Sequence, residues 1–217
     1  MLLLSSPLCG ITLKFGNGRD AGYPFPMKPA FDNVATWLFF ATLVVWALFE
    51  LPQGLKRRTD ATRHEYGSLI IVPACAIAGA VVAAFAVRAK TAAYALTPSV
   101  LALALVLMWS GIALRWWCFR TLGRYFTFTV MTSPEQRVIS SGPYQVLRHP
   151  SYAGTMLVLT GIALMSGNWL SVAAFVLATL AGFAYRIRVE ETALVKALGS
   201  AYTTYASGRK RLVPFLW

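Results

Sequence analysis

Acidic residues are scarce in this chain. Its 217 residues include only eight Asp and Glu, against twenty Lys and Arg, and charged residues of both signs make up 13%. A soluble domain carries about 25%, so a water-facing surface over the whole chain is excluded and an integral membrane protein is indicated. Histidine is scarcer still. His64 and His149 are the only two, which argues against a histidine-built metal site, and no metal is expected. Three cysteines, Cys9, Cys75 and Cys118, are odd in number and scattered, giving neither a disulfide framework nor a zinc spacing. A P-loop is missing. Gly16 and Gly18 form a lone GxG with no strand before it, so a Rossmann nucleotide loop is unsupported. Ser140 and Ser141 lack a His–Asp arrangement, and no apolar segment carries a row of charges suited to an ion path.

What the chain has in abundance is apolar sequence: 57% hydrophobic residues and a mean hydropathy of +0.58. Five apolar segments run over 33–51, 67–87, 98–119, 151–166 and 169–185. The first three approach the about 20 residues that cross a hydrocarbon core. The last two are shorter, and only Gly167 and Asn168 separate them, which predicts an antiparallel helical hairpin. The expectation is an all-α, polytopic membrane helical protein with about five transmembrane helices, a C-terminal hairpin and a cytosolic cofactor site. One membrane domain accounts for the chain: an irregular N-terminal segment over 1–32, three transmembrane helices within 33–119, and a C-terminal region over 120–217. The opening run MLLLSSPLCGITL has no basic residue before it and makes a poor signal peptide. No solenoid repeat is visible.

The net charge of +12 would suggest nucleic acid in a soluble protein. Here the charges lie between apolar segments, so no nucleic-acid partner is expected. Fifteen of the twenty basic residues fall in the first connection, the third connection and the C-terminal tail. Positive-inside counting then puts the N-terminus outside and the C-terminus in the cytosol.

Most of the polar chemistry sits in two clusters. The first is GPYQVLRHPSYAG at 142–154. Pro150 suits the first turn of a helix and Ser151 adds capping capacity. His149, Pro150, Ser151 and Tyr152 thus read as a helix start, where free N–H groups and the positive dipole end welcome a carboxylate or phosphate. A plain interfacial helix start, with Tyr144 and Tyr152 as aromatic anchors, is the competing reading. The second cluster holds Arg186, Glu190 and Leu194, four apart on one helical face. Glu190 suits ammonium or hydroxyl groups, and Arg186 suits a carboxylate; an ordinary intrahelical ion pair is the alternative. Glu191 points about 100° away, as expected of a solvated residue. Gly199 can end that helix, with Tyr202 and Tyr205 covering a pocket or lying at headgroups. LGRYFTFTV over 122–130 could be a short extended stretch, and Phe215 and Trp217 an interfacial anchor. Folding the hairpin brings both clusters to one membrane surface.

These residues resemble the isoprenylcysteine carboxyl methyltransferase family of membrane methyltransferases. The resemblance covers about 122–217 and rests on GPYQVLRHPSY, on RxxxEE at 186–191, on GxxYxxY at 199–205 and on the terminal RLVPFLW. It implies S-adenosylmethionine as cofactor, bound at the cytosolic ends of the last helices. It also implies that Gln136, Arg137, Val138 and Ile139 wrap that cofactor, with Tyr144, His149, Pro150, Ser151, Tyr152 and Glu190 as further cofactor-binding residues. Arg186 takes the catalytic, substrate-binding place at the methyl acceptor. Gln136 departs from the family, which often has histidine there. The implied partners are the bilayer and a lipophilic or prenylated acceptor entering from it. Membrane sterol reductases using a reduced nicotinamide cofactor share a similar C-terminal pattern. They tend to have asparagine after HP and then a glycine–acid pair, where this chain has Ser151 and then Ala153, Gly154 and Thr155. A non-enzymatic membrane scaffold or small transporter is the third class.

Overall fold

The computed structural model describes residues 34–55, 62–63, 67–123, 126, 131–132 and 137–213. Segment 1–32, Gln136, most of 122–130, Phe215 and Trp217 lie outside the described residues. Among the described residues six helices form the body: α1 (Val34–Leu55), α2 (Ser68–Ala89), α3 (Pro98–Leu122), α4 (Pro150–Leu164), α5 (Trp169–Leu198) and α6 (Ser200–Ser207). A 3-10 turn at Gly142–Gln145 precedes α4. Two short strands, β1 (Thr62–Arg63) and β2 (Met131–Thr132), pair antiparallel, Thr62 opposite Thr132 and Arg63 opposite Met131.

All five apolar segments are helical, and the fourth is short, as its sequence length predicts. Among the described residues four helices, α1, α2, α3 and α5, are long and apolar enough to cross a membrane, whereas α4 has 15 residues. At 1.5 Å per residue α4 is about 22 Å long, short of a core about 30 Å thick. The fifth segment is extended, as the helical spacing of Arg186, Glu190 and Leu194 and the helix end at Gly199 predict. It continues without a break to Leu198, 30 residues in all, or about 45 Å. α5 therefore runs past the apolar slab and carries its polar C-terminal turns with it.

The helices pack as two intimate pairs, α3 with α4 and α2 with α5. Where α3 meets α4, the backbones touch at Gly111 and Gly154: a Cβ on Gly111 would collide with the Gly154 carbonyl oxygen, and one on Gly154 would lie 2.9 Å from that of Gly111. Small residues allow such approach where lipid offers no hydrophobic drive to associate. Phe39, Met108, Ile112 and Val158 form the core among α1, α3 and α4.

The α4–α5 turn is bolted to the rest. Asn168, 1% exposed, caps α5 by accepting from the Ser171 N–H at 3.0 Å. Its amide donates to the carbonyls of Thr91 at 2.5 Å and Ala86 at 3.3 Å. The hairpin predicted from Gly167 and Asn168 forms, and it returns the chain to the end where α4 began.

Candidate functional site

α4 begins on HPSY. Pro150 takes the first helical position and His149 the N-cap, without a side-chain capping bond. The approach to this start is pinned by the tail: the Arg148 N–H donates to the Lys210 carbonyl at 2.8 Å and the His149 N–H to that of Arg211 at 3.0 Å. Residues 209–211 thus form a strap along the loop entering α4. The 3-10 turn buries Tyr144, and the Tyr205 hydroxyl donates to the Tyr144 carbonyl at 2.9 Å. Burial pushes the Tyr205 phenol up to about 12 and holds that of Tyr144 above its ordinary value as well. Both phenols stay neutral at physiological pH.

The two sequence clusters meet through one hydroxyl. Tyr152 donates to Glu190 Oε2 at 2.7 Å and accepts from Arg186 Nε at 2.8 Å. Its ring stacks with His149 (centroids 5.6 Å) and with Phe183 (5.1 Å). Arg186 and Glu190 share one face of α5, as their spacing predicts, and α4 places a phenol between them.

Glu191 is not solvated. Its Oε1 accepts from Arg148 Nη1 at 3.0 Å and lies 3.3 Å from His149 Nε2. Its Oε2 accepts from Arg211 Nε at 3.0 Å and Nη2 at 2.8 Å. The 100° rotation from Glu190 turns it towards the loop and strap that wrap this end of α5. His149 Nδ1 is 3.7 Å from Glu190 Oε2, so either neutral tautomer leaves an N–H facing a carboxylate.

Ser151 corrects the expected local cap. Its hydroxyl and its carbonyl accept from Arg115 Nη1 at 3.0 and 3.1 Å, and Thr155 Oγ1 accepts from the same nitrogen at 2.5 Å. Arg115, read as the start of a cytosolic connection, is instead 5% exposed within α3. It is paired with Glu50 of α1 through Nη2 to Oε2 at 2.6 Å and Nε to Oε1. This pair is what sequence reasoning missed. The signal was present: Glu50 and Arg115 are each the lone charged residue of an apolar segment, and such residues seek one another inside a bilayer.

Of the expected cofactor loop, Arg137 is exposed and Val138 and Ile139 are half-buried. Val138 packs against Tyr202, Tyr205 and Ala206, together with Leu194 and Leu198. Among the described residues no group of three or more His, Cys, Asp or Glu is placed to hold a metal ion.

Fold and site together define an integral membrane protein whose polar cluster is built where a short helix begins and a long one emerges. Residues 102–196 match the model of the isoprenylcysteine carboxyl methyltransferase (ICMT) family. The chain is 35% identical over 108 residues to protein-S-isoprenylcysteine O-methyltransferase B of Arabidopsis thaliana, covering 49% of this chain and 55% of that protein. It is 33% identical over 98 residues to protein-S-isoprenylcysteine O-methyltransferase of Saccharomyces cerevisiae, covering 44% and 41%. It thus spans about half the length of the curated relatives it matches. Its fold resembles the solved structure of the eukaryotic intramembrane Ras methyltransferase ICMT, with a TM-score of 0.58 and 24% identity over 83% of this chain and 67% of that one.

Proposed function

We propose that this protein is a membrane methyltransferase that takes S-adenosylmethionine and methylates the carboxylate of a lipophilic acceptor, an isoprenylcysteine-like or other isoprenoid acid. The observation that carries this reading is the Tyr152 hydroxyl held between Glu190 and Arg186. It joins an anionic and a cationic side chain at the mouth of an apolar bundle. The donor set fits the cofactor. Glu190 suits its ammonium or ribose hydroxyls, the start of α4 suits its carboxylate, and stacked aromatic faces suit a sulfonium cation. A buried hydroxyl at Tyr202 has no partner among the described residues and offers one further polar contact.

The residues that would hold the cofactor are Gln136, Arg137, Val138 and Ile139 on the loop, then Tyr144, His149, Pro150, Ser151, Tyr152 and Glu190. Ser151 would act through its backbone, since Arg115 occupies its hydroxyl. Bound there, the cofactor supplies a methyl carbon activated by a sulfonium leaving group. The chain's own task is then alignment and exclusion of water. Arg186 orients the acceptor carboxylate, which is already ionised near neutral pH because its reference pKa is about 4. No residue has to remove a proton. Tyr152 fixes the Arg186 guanidinium relative to Glu190, which sets the distance between acceptor and cofactor subsites. Positive-inside counting favours the cytosolic side for this end of the bundle and the outside for the N-terminus.

The test is transfer of a labelled methyl group from S-adenosylmethionine to an S-farnesylated cysteine with a free carboxylate, in proteoliposomes. The expected product is a base-labile ester in the organic extract, reduced at least about tenfold by Arg186→Lys, which loses the bidentate fork. Binding of NADPH without binding of S-adenosylhomocysteine would instead mark a lipid reductase.

A further inference from the structure

Tyr202 sits on α6, just past the left-handed Gly199 that turns the chain out of α5 (φ 54°). Its ring is well housed, packed with Tyr205, Ala206, Val138, Leu194 and Leu198. The residue is 5% exposed, yet its hydroxyl has no hydrogen-bond partner among the described residues. The neighbouring phenols differ. Tyr205 donates to the Tyr144 carbonyl, and Tyr152 is bonded on both sides. A buried hydroxyl without a partner destabilises a fold, because it has given up water and gained nothing. Phenylalanine would fill the same apolar niche without that cost.

The position of Tyr202 shows what such a group can serve. Val138, on the expected cofactor loop, packs against the cluster that Tyr202 forms with Tyr205 and Ala206. Glu191, Glu190 and Arg148 act on its phenol electrostatically, after burial, which is the larger cause of its raised pKa. The hydroxyl is therefore within electrostatic reach of the charged end of α5, in the cluster against which the loop residue Val138 packs. It stays protonated at physiological pH and is able both to donate and to accept.

We propose that Tyr202 is a cofactor-binding residue, its hydroxyl reserved for a hydrogen-bonding group of the cofactor held between residues 137–139 and Glu190. This rests on the methyltransferase reading above. It gives the GxxYxxY segment two distinct duties: Tyr205 ties α6 to the 3-10 turn, while Tyr202 faces the ligand. Part of the cofactor's affinity then comes from satisfying a group that the fold leaves unsatisfied.

Tyr202→Phe separates this from a packing role, because the two properties move in opposite directions. The cofactor-free variant is expected to melt higher than wild type by about 2–6 °C. Its dissociation constant for S-adenosylhomocysteine by calorimetry is expected to rise about three- to tenfold. Tyr205→Phe, which removes a hydroxyl already in use, should instead lower the melting temperature. Wild-type binding that is unchanged in Tyr202→Phe overturns the proposal, as does a lower melting temperature in that variant, since either outcome gives the hydroxyl a structural partner or no ligand. Failure of the wild type itself to bind S-adenosylhomocysteine overturns the methyltransferase reading instead.

Discussion

Glu50 of α1 and Arg115 of α3 form a two-pronged ion pair between membrane-spanning helices, and the same guanidinium holds the Ser151 carbonyl and hydroxyl at the start of α4. Arg115 also lies over the Phe119 ring, 4.9 Å from its centroid, and the Trp46 indole donates to Glu50 Oε1 at 3.2 Å. The first helix, which carries no motif, is thus connected through one arginine to the turn that presents His149 and Tyr152. Removing one partner strands a buried charge. Glu50→Ala or Arg115→Ala is expected to cost about 3–5 kcal/mol of stability. Glu50→Leu combined with Arg115→Met should cost clearly less than the sum of the single changes. Thermal unfolding in detergent checks the order; additive losses would show that the pair is not coupled.

Tyr152→Phe keeps the stacked ring and deletes only the hydroxyl between Glu190 and Arg186. Two charge-assisted hydrogen bonds disappear, each worth about 1.5–3 kcal/mol. The expected result is a variant that still unfolds cooperatively but melts about 6 °C or more below wild type, with methyl transfer down by at least about tenfold. Wild-type activity in this variant would detach Tyr152 from the site.

Glu191 gathers Arg148, Arg211 and a nitrogen of His149. Glu191→Gln removes the charge that holds the strap, so residues 208–213 should lose hydrogen-exchange protection before the helices do. The global loss should be about 1–3 kcal/mol, in the range for a partly buried charged hydrogen-bond network. Unchanged protection of the strap would assign its docking to the backbone bonds from Arg148 and His149 alone.

Gly154 lies 2.8 Å, measured from a built Cβ, from the Arg115 side chain and 2.9 Å from the Gly111 carbonyl. Gly154→Ala overpacks α3 against α4 and should cost about 1–3 kcal/mol. Because it also displaces Arg115, S-adenosylhomocysteine binding should weaken with it. The same change at Gly208, which has open space beside it, should leave both unaffected.

The helical class was legible because its cause is one-dimensional: runs of apolar residues, and Gly167 with Asn168 between the last two. The meeting of HPSY with Arg186 and Glu190 was legible for the same reason, since a tight hairpin returns the chain to its starting end. The continuation of α5 past 185 was legible too, because Arg186, Glu190 and Leu194 keep a helical spacing and Gly199 follows to end it; a helix leaving the slab keeps its hydrogen bonds whatever its side chains. Glu191 was misread because a helical wheel drawn on α5 alone does not contain the strap at 209–211 that comes back to cover it. Ser151 looked like a cap in isolation, and only the three-dimensional approach of Arg115 through the Gly111–Gly154 contact shows where its hydroxyl goes.

The central claim is that the start of α4 and the emerging end of α5 form a site for S-adenosylmethionine, and its most direct test is calorimetry of S-adenosylhomocysteine and NADPH against the purified protein and Glu190→Ala. The account predicts micromolar binding of S-adenosylhomocysteine alone, weakened at least about tenfold in the variant while its melting curve stays cooperative. Binding of NADPH alone, or S-adenosylhomocysteine affinity indifferent to Glu190, would contradict it.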